Sequence, residues 1–118
     1  MRLRAIVTAA AFAMTLVMAV PGQASAAAGG IFHYTYTNTD GVEMRGDLEN
    51  PATNTCVTIP EADDVANPGA KPAHSPSNKT NVDAILFADV ACDEAEFAVA
   101  VNGKGGSNLK FRAVRFDT

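Results

Sequence analysis

The sequence predicts an all-β fold, a small antiparallel β-sandwich of Greek-key, crystallin-like type with one disulfide. Short runs of β-branched and aromatic residues alternate with turn residues after position 26. No stretch of that region shows convincing helical periodicity. The chain has two cysteines, Cys56 and Cys92, which predict a single disulfide in an exported protein. Together these observations favour a sandwich closed by one cross-link.

The N-terminus has the three parts of a secretory signal peptide, which we assign to residues 1–26. Two arginines precede an apolar segment, and small residues end in an A-x-A site at Ala26. Cleavage is expected after Ala26, with Ala28 as the other candidate. An uncleaved anchor is the weaker alternative, because the apolar segment is short for a membrane span. The remaining 118 − 26 = 92 residues predict one secreted, extracellular domain over 27–118.

The charge balance of the mature chain excludes some partner classes. Removing the two leader arginines leaves 9 − 2 = 7 basic residues against 13 acids, a net charge of −6. Such a balance argues against general nucleic-acid binding and against binding to anionic membranes after signal cleavage. Four basic residues near the C-terminus suggest either a cationic edge or, as the favoured alternative, a solvated strand face; they are Lys104, Lys110, Arg112 and Arg115.

The longest apolar run outside the leader, VDAILFADVAC over 82–92, predicts the central strand of the domain. Apolar residues on both alternating faces are typical of a strand covered on two sides. This strand is expected to end at Cys92 and to carry the disulfide to Cys56. A 36-residue separation predicts about 4 kcal/mol of stabilisation in the chain-entropy model.

Five further strands are predicted around it. Asp40-Gly41 is a strong hairpin signal between the first two. In the second strand, Val42, Met44 and Leu48 are candidate inward positions, and Gly46 suggests a bulge. Ala26 to Gly30 is expected to be a flexible start. The predicted strands cover 31–38, 42–48, 55–59, 97–101 and 109–117.

The first strand, IFHYTYTN, places Phe32, Tyr34 and Tyr36 on one side. Two interpretations follow from this concentration of aromatics. In the favoured interpretation, the strand packs in the domain's own core. In the other, it binds a partner by strand addition.

Residues 61–81 predict a long surface loop. Three prolines, Gly69 and several serines and asparagines leave too little apolar material for a core. A loop of about twenty residues in a small domain is either functional or merely mobile.

No catalytic, cofactor-binding or metal site is predicted, and we expect no enzyme. Only His33 and His74 remain as bases after the leader, and the adjacency of His74 to Ser75 is not triad geometry. The acid clusters, Asp63-Asp64 and Asp93-Glu94-Ala95-Glu96, lack the apolar surroundings of a general acid. Calcium binding at 89–96 remains open, although EF-hand spacing is missing.

Several segments together resemble a family of small secreted, βγ-crystallin-like proteins of filamentous actinobacteria. They occur in the family's order over most of the mature chain, and the final one resembles the end of a crystallin sandwich. The departures are the long 61–81 loop and the acidic Asp93-Glu94-Ala95-Glu96 turn. The matching segments are Gly30-Ile31-Phe32-His33-Tyr34, Leu48-Glu49-Asn50-Pro51, Thr55-Cys56-Val57-Thr58-Ile59-Pro60, Asn78-Lys79-Thr80-Asn81, Ala84-Ile85-Leu86-Phe87, Cys92 and Phe111-Arg112-Ala113-Val114-Arg115-Phe116.

Within this family, the resemblance implies the adaptor subunit of umbrella toxin particles, which act in interbacterial competition. It implies two protein partners, a lectin-bearing subunit of trypsin-like fold and a large repeat-containing toxin polypeptide. The implied docking residues are Gly30, Ile31, Phe32, His33 and Tyr34. Deletion of residues 27–34 is then expected to leave the domain folded while abolishing binding to the lectin-bearing subunit.

Two other functions compete with the adaptor. A secreted protease inhibitor would act through the 61–81 loop, although one disulfide gives such a loop little rigidity. A calcium-binding structural protein would show a calcium-dependent melting shift.

Overall fold

The structure, a computed structural model, describes residues 26–118. Seven strands form two antiparallel sheets; the described residues contain no α-helix, only a 3-10 turn at Pro60–Ala62. Nearly all of the predicted leader, residues 1–25, lies outside the described part. The strands are β1 (Gly30–Thr37), β2 (Glu43–Glu49), β3 (Cys56–Thr58), β4 (His74–Thr80), β5 (Asp83–Phe87), β6 (Ala95–Val99) and β7 (Ala113–Asp117).

The first sheet has three strands in the order β2-β1-β4, so β1 pairs on both of its edges. The predicted hairpin connects β1 to β2. The Asn38 carboxamide oxygen accepts the N–H groups of Asp40 and Val42, and Gly41 takes the positive φ of 81° that the turn requires. The second sheet has four strands in the order β3-β7-β5-β6.

The two sheets enclose one hydrophobic core. Phe32 of β1 makes edge-to-face contacts with Phe111 and with Phe116 of β7, at centroid distances of 6.0 and 5.4 Å. All three rings are fully buried. The all-β antiparallel fold with one disulfide is therefore confirmed, and the favoured packing of the first strand's aromatics in the core is the observed one.

The prediction that 61–81 is entirely a loop was wrong, because residues 74–80 form β4. The residues of β4 that face the core are largely polar or proline, so they carry no apolar alternation that would indicate a strand. Pro76 is tolerated because β4 lies at a sheet edge. The buried positions of β4 are His74, Pro76, Asn78 and Thr80.

The strand predicted over 82–92 is interior, as expected, but it is shorter. β5 ends at Phe87, and a turn follows in which the Asp89 carboxylate accepts the N–H groups of Asp93 and Glu94. Cys92 lies in this turn with a positive φ of 60°. It forms the predicted disulfide with Cys56 of β3. A side chain that caps the backbone therefore ends the strand before the cysteine is reached.

Three local predictions also differ from the structure. Gly46 pairs regularly with Tyr34 and forms no bulge, because its missing side chain makes room for the Tyr34 ring. Val42 and Met44 are exposed, and of the three predicted inward residues only Leu48 packs against the core. The last two strands were predicted over 97–101 and 109–117, whereas the structure has them at Ala95–Val99 and Ala113–Asp117.

The start of the described chain is anchored, contrary to the expected flexibility. The Ala28 N–H donates to the Pro51 carbonyl at 2.8 Å, and Ala28 is buried. Both the N–H and the hydroxyl of Thr53 donate to the Ala26 carbonyl. Backbone pairing with 50–53 thus fixes the segment ahead of β1.

Candidate functional site

The five predicted docking residues separate onto two sides of β1. Phe32 and Tyr34 point into the core and are at most 2 % exposed. Ile31 and His33 alternate with them and lie on the opposite side of the sheet, partly exposed. Gly30 has a φ of 111°, and a side chain there would overlap the Lys79 carbonyl. Since β2 and β4 occupy both edges of β1, partner binding by strand addition to β1 is incompatible with this fold.

We call the side of the first sheet that faces away from the core the outer face. The alternation of each strand places polar side chains there, next to Ile31 and His33. Paired positions across the sheet bring Asp47 and Ser77 beside His33. The outer face comprises Ile31, His33, Thr35, Thr37, Glu43, Arg45, Asp47, Glu49, Ser75, Ser77 and Lys79.

A three-membered charged cluster surrounds His33. Its Nδ1 lies 2.6 Å from Asp47 Oδ1 and 2.7 Å from Arg45 Nη2. Nδ1 donates to Asp47 if it carries a proton and accepts from Arg45 if it does not, so the tautomer of His33 decides which contact is a hydrogen bond. The hydrogen bond with His33, assisted by the nearby Arg45, holds the pKa of Asp47 below its usual range.

An open cleft of about 320 Å³ lies at the centre of the outer face. Its polar lining combines the guanidinium of Arg45, the ammonium of Lys79 and the imidazole of His33 with hydroxyl groups. Among the described side chains no carboxylate forms a salt bridge with Lys79. The cleft can therefore accept acidic or hydrogen-bonding groups of a partner.

Ser75, His74 and Glu43 form a hydrogen-bonded chain that sequence adjacency did not predict. The Ser75 hydroxyl lies 2.8 Å from His74 Nδ1, and Glu43 Oε2 lies 3.1 Å from His74 Nε2. An acyl-transfer site also needs donors for the oxyanion. The Ser75 N–H is already bound to the Gly106 carbonyl, so it does not provide one. The observed contacts connect β4 to β2 across β1.

The basic residues near the C-terminus have structural partners. Arg112 donates to the Ala62 and Ala70 carbonyls and lies 3.5 Å from Asp64. Arg115 pairs with Asp117 and stacks over the buried Phe87 ring. These contacts neutralise two of the four charges of the suggested cationic edge.

The acidic clusters also have structural partners. Asp63 accepts the N–H groups of Val65 and Ala66. Hydrogen bonds from backbone N–H groups, that of Glu94 first, lower the pKa of Asp89. Among the described side chains, no three histidines, cysteines or acids are grouped to hold a metal ion.

A larger groove, of about 610 Å³, lies between the end of the β1–β2 hairpin and the loop that follows Pro60. Tyr36, Asn38, Glu61, Asn67 and Lys71 contribute to its lining. Glu61 Oε1 also accepts the Tyr34 hydroxyl at 2.7 Å. Burial, together with this bond, raises the pKa of Tyr34 above its ordinary value.

Sequence reasoning missed the β4 contribution to the cleft. Ser75, Ser77 and Lys79 reach the outer face because β4 pairs with β1, and the sequence of β4 gave no strand signal. Arg45 was within reach of prediction, because it lies opposite Thr35 in the predicted hairpin.

No helix in the described part of the chain is long and apolar enough to cross a membrane. Comparisons of the chain with protein-family models, curated proteins and solved structures found no match.

Proposed function

We propose that this chain is a secreted, non-enzymatic adaptor of an extracellular antibacterial toxin complex, and that it docks a protein partner through its outer face. The observation that carries this proposal is the cleft at the centre of that face, which His33, Arg45 and Lys79 line. Ile31 of β1 lies next to Lys79. A rigid sheet that presents one apolar and several polar groups suits protein recognition. The particle's lectin-bearing subunit of trypsin-like fold and its large toxin polypeptide are the proposed partners.

Electrostatics suggest which groups of the partner contact this surface. Arg45 and Lys79 are cationic groups on a chain whose mature charge is −6. A partner that places a carboxylate in the cleft would pair with Lys79 and lie near Arg45, with Ile31 as the apolar contact beside it. Arg45 is already 3.6 Å from Asp47. Such binding keeps Phe32 and Tyr34 in the core, where they stabilise the fold.

Affinity purification from the culture supernatant of the producing organism, followed by mass spectrometry, tests the proposal. The tagged wild-type chain is expected to recover the lectin-bearing and toxin subunits together. The Ile31→Glu, Lys79→Glu double variant is expected to lose at least one of them while keeping its melting temperature within a few degrees. Asn108→Glu, at an exposed position outside the outer face, is the matched control.

Unchanged recovery with the double variant would remove the outer face as the docking surface. The deletion of residues 27–34 is unsuited to this test. It removes the fully buried Phe32, and loss of a buried phenylalanine side chain alone costs about 3–5 kcal/mol.

A protease inhibitor remains the second candidate, favoured by one observation. Arg112 holds both ends of the loop after Pro60 by binding the Ala62 and Ala70 carbonyls, each at 2.9 Å, and Val65 on that loop is 75 % exposed. The intervening backbone consists of turns, whereas a protease cleft binds an extended segment. Incubation with extracellular proteases is expected to give cleavage without inhibition; tight inhibition lost in Val65→Asp would reverse this ranking.

A further inference from the structure

In the two sheets of the described residues, three of the four edges carry features that prevent another strand from pairing there. β2 alternates charges along its edge, at Glu43, Arg45, Asp47 and Glu49. β4 contains Pro76, and the segment 102–106 covers it, with hydrogen bonds such as Gly105 N–H to the Pro76 carbonyl. β3 has only three residues, one of them the disulfide-bonded Cys56.

In the described part of the chain, the fourth edge, formed by β6, has no proline and no covering segment; it carries one charged residue, Glu96, and a register shift opposite Phe87. Its sequence, AEFAV, contains no proline and no lysine, and it pairs with β5 on one side only. Because antiparallel pairing uses alternate residues, the remaining N–H and C=O groups of Ala95 to Ala98 point away from β5. Beyond this stretch the edge is closed, since the Asn78 carboxamide donates to the carbonyls of Val99 and Ala100. The open stretch thus spans four residues, and alternate residues within it present their backbone groups outward.

At the same edge, the side chain of Phe97 lies on the core side of the sheet but is only partly covered. It lies opposite Leu86, so both side chains are on the core side of the sheet. Leu86 is fully buried, whereas Phe97 is 48 % exposed because no further strand lies beside it. An added strand would cover the Phe97 ring with an apolar side chain and satisfy the free backbone groups together.

Charge around the edge selects the kind of strand that fits. Asp93 and Glu94 immediately precede β6, and Asp83 lies at its other end, where its carboxylate accepts the Val101 N–H. A strand with basic residues at its ends complements these acids. A second copy of this chain does not, because the mature chain carries a net charge of −6.

We propose that the open edge of β6 binds an extended segment of a partner protein by strand addition. The segment pairs with residues 95–98, places an apolar side chain against Phe97 and carries basic residues toward Asp93 and Asp83. This surface lies on the second sheet and does not depend on the outer face. It supplies a second contact of the kind that an adaptor requires.

Selection from a displayed library of random twelve-residue peptides on the purified mature chain tests the proposal. The recovered peptides are expected to share an alternating apolar pattern flanked by lysine or arginine. In NMR titrations of the labelled chain, they are expected to shift the amides of 93–99. Phe97→Lys is expected to weaken binding by about tenfold or more. Val42→Lys, at a residue 52 % exposed beside the first sheet, is the matched control.

A second arm alters only the peptide, so it does not depend on the folding of a variant. Methylating the peptide amides that face β6 removes the donors for pairing and is expected to abolish binding. Selected peptides that bind Phe97→Lys with full affinity, that tolerate methylation, or that shift amides of the outer face would overturn the proposal. A dimer that Phe97→Lys dissociates would also overturn it, in favour of a second copy as occupant. These results do not decide whether the outer face binds a partner, which the Ile31→Glu, Lys79→Glu double variant tests independently.

Discussion

The four-stranded sheet and the contact region between the two sheets are stabilised by different interactions. The four-stranded sheet has a covalent link at its edge, where Cys56 of β3 bonds to Cys92 in the turn after β5. The contacts between the sheets are non-covalent, and beside the aromatic core they include a polar link through Asn78 of β4, which is fully buried. Its carboxamide nitrogen donates to the carbonyls of Val82, Val99 and Ala100. The disulfide therefore lies near the surface, whereas the hydrogen bonds of Asn78 lie in the interior.

The comparison teaches how a small domain distributes its stabilising interactions. The disulfide acts mainly on the unfolded chain, which it restricts over 36 residues. Asn78 acts on the folded chain, where its amide satisfies the Val99 carbonyl and the Thr80 N–H in buried hydrogen bonds. Loss of the amide should therefore cost more than loss of the disulfide.

The largest effect is expected for Asn78→Leu. The substitution keeps the branching and the number of side-chain heavy atoms, but larger methyl groups replace the polar atoms and leave the Val99 carbonyl and the Thr80 N–H without their partner. The free energy of unfolding should therefore fall by about 5 kcal/mol. Urea denaturation followed by circular dichroism measures this change. Asn108→Leu, at an exposed position, should change it by less than about 0.5 kcal/mol. A smaller loss for Asn78→Leu than for the disulfide variant would break the comparison.

Replacement of both cysteines by serine should lower the free energy of unfolding by about 4 kcal/mol. The reason is the restored freedom of the 36-residue segment in the unfolded chain. The same denaturation experiment on the oxidised wild type and on the double variant measures it. An unchanged midpoint would show that the folded sheet needs no covalent link at β3.

Gly46→Ala tests the packing of the first sheet. The added Cβ would overlap the Tyr34 ring and should destabilise the domain by about 2 kcal/mol. Gly106→Ala is the matched control, because a Cβ there meets nothing within 4 Å. Equal midpoints for the two variants in urea would mean that the ring moves without cost.

The smallest effect concerns pH. Burial and the bond to Glu61 raise the pKa of Tyr34, so the folded state favours its neutral form. This contribution is fully present below the unfolded pKa of about 10 and is lost as the pH rises above it. Tyr34→Phe should therefore show a weaker fall in stability above pH 10 than the wild type. Identical pH profiles of the urea midpoint would contradict the assigned environment of this hydroxyl.

Elements with apolar alternation and turn residues were predictable from the sequence. The β1–β2 hairpin follows from IFHYTYTN and Asp40-Gly41, and the disulfide follows from the cysteine count. β4 was not predictable, because Pro76 and Asn78 face the core and a buried amide looks like a loop residue in the sequence. The cleft on the outer face depends on β4, so it could not be assembled before β4 was known.

The anchored segment ahead of β1 has a consequence for maturation. Ala28 is 2 % exposed and its backbone pairs with Pro51. A peptidase needs an extended, accessible substrate, so it could not cut after Ala28 once the sheets have closed. Removal of the predicted leader at that bond, the alternative to the expected cleavage after Ala26, would therefore have to precede folding.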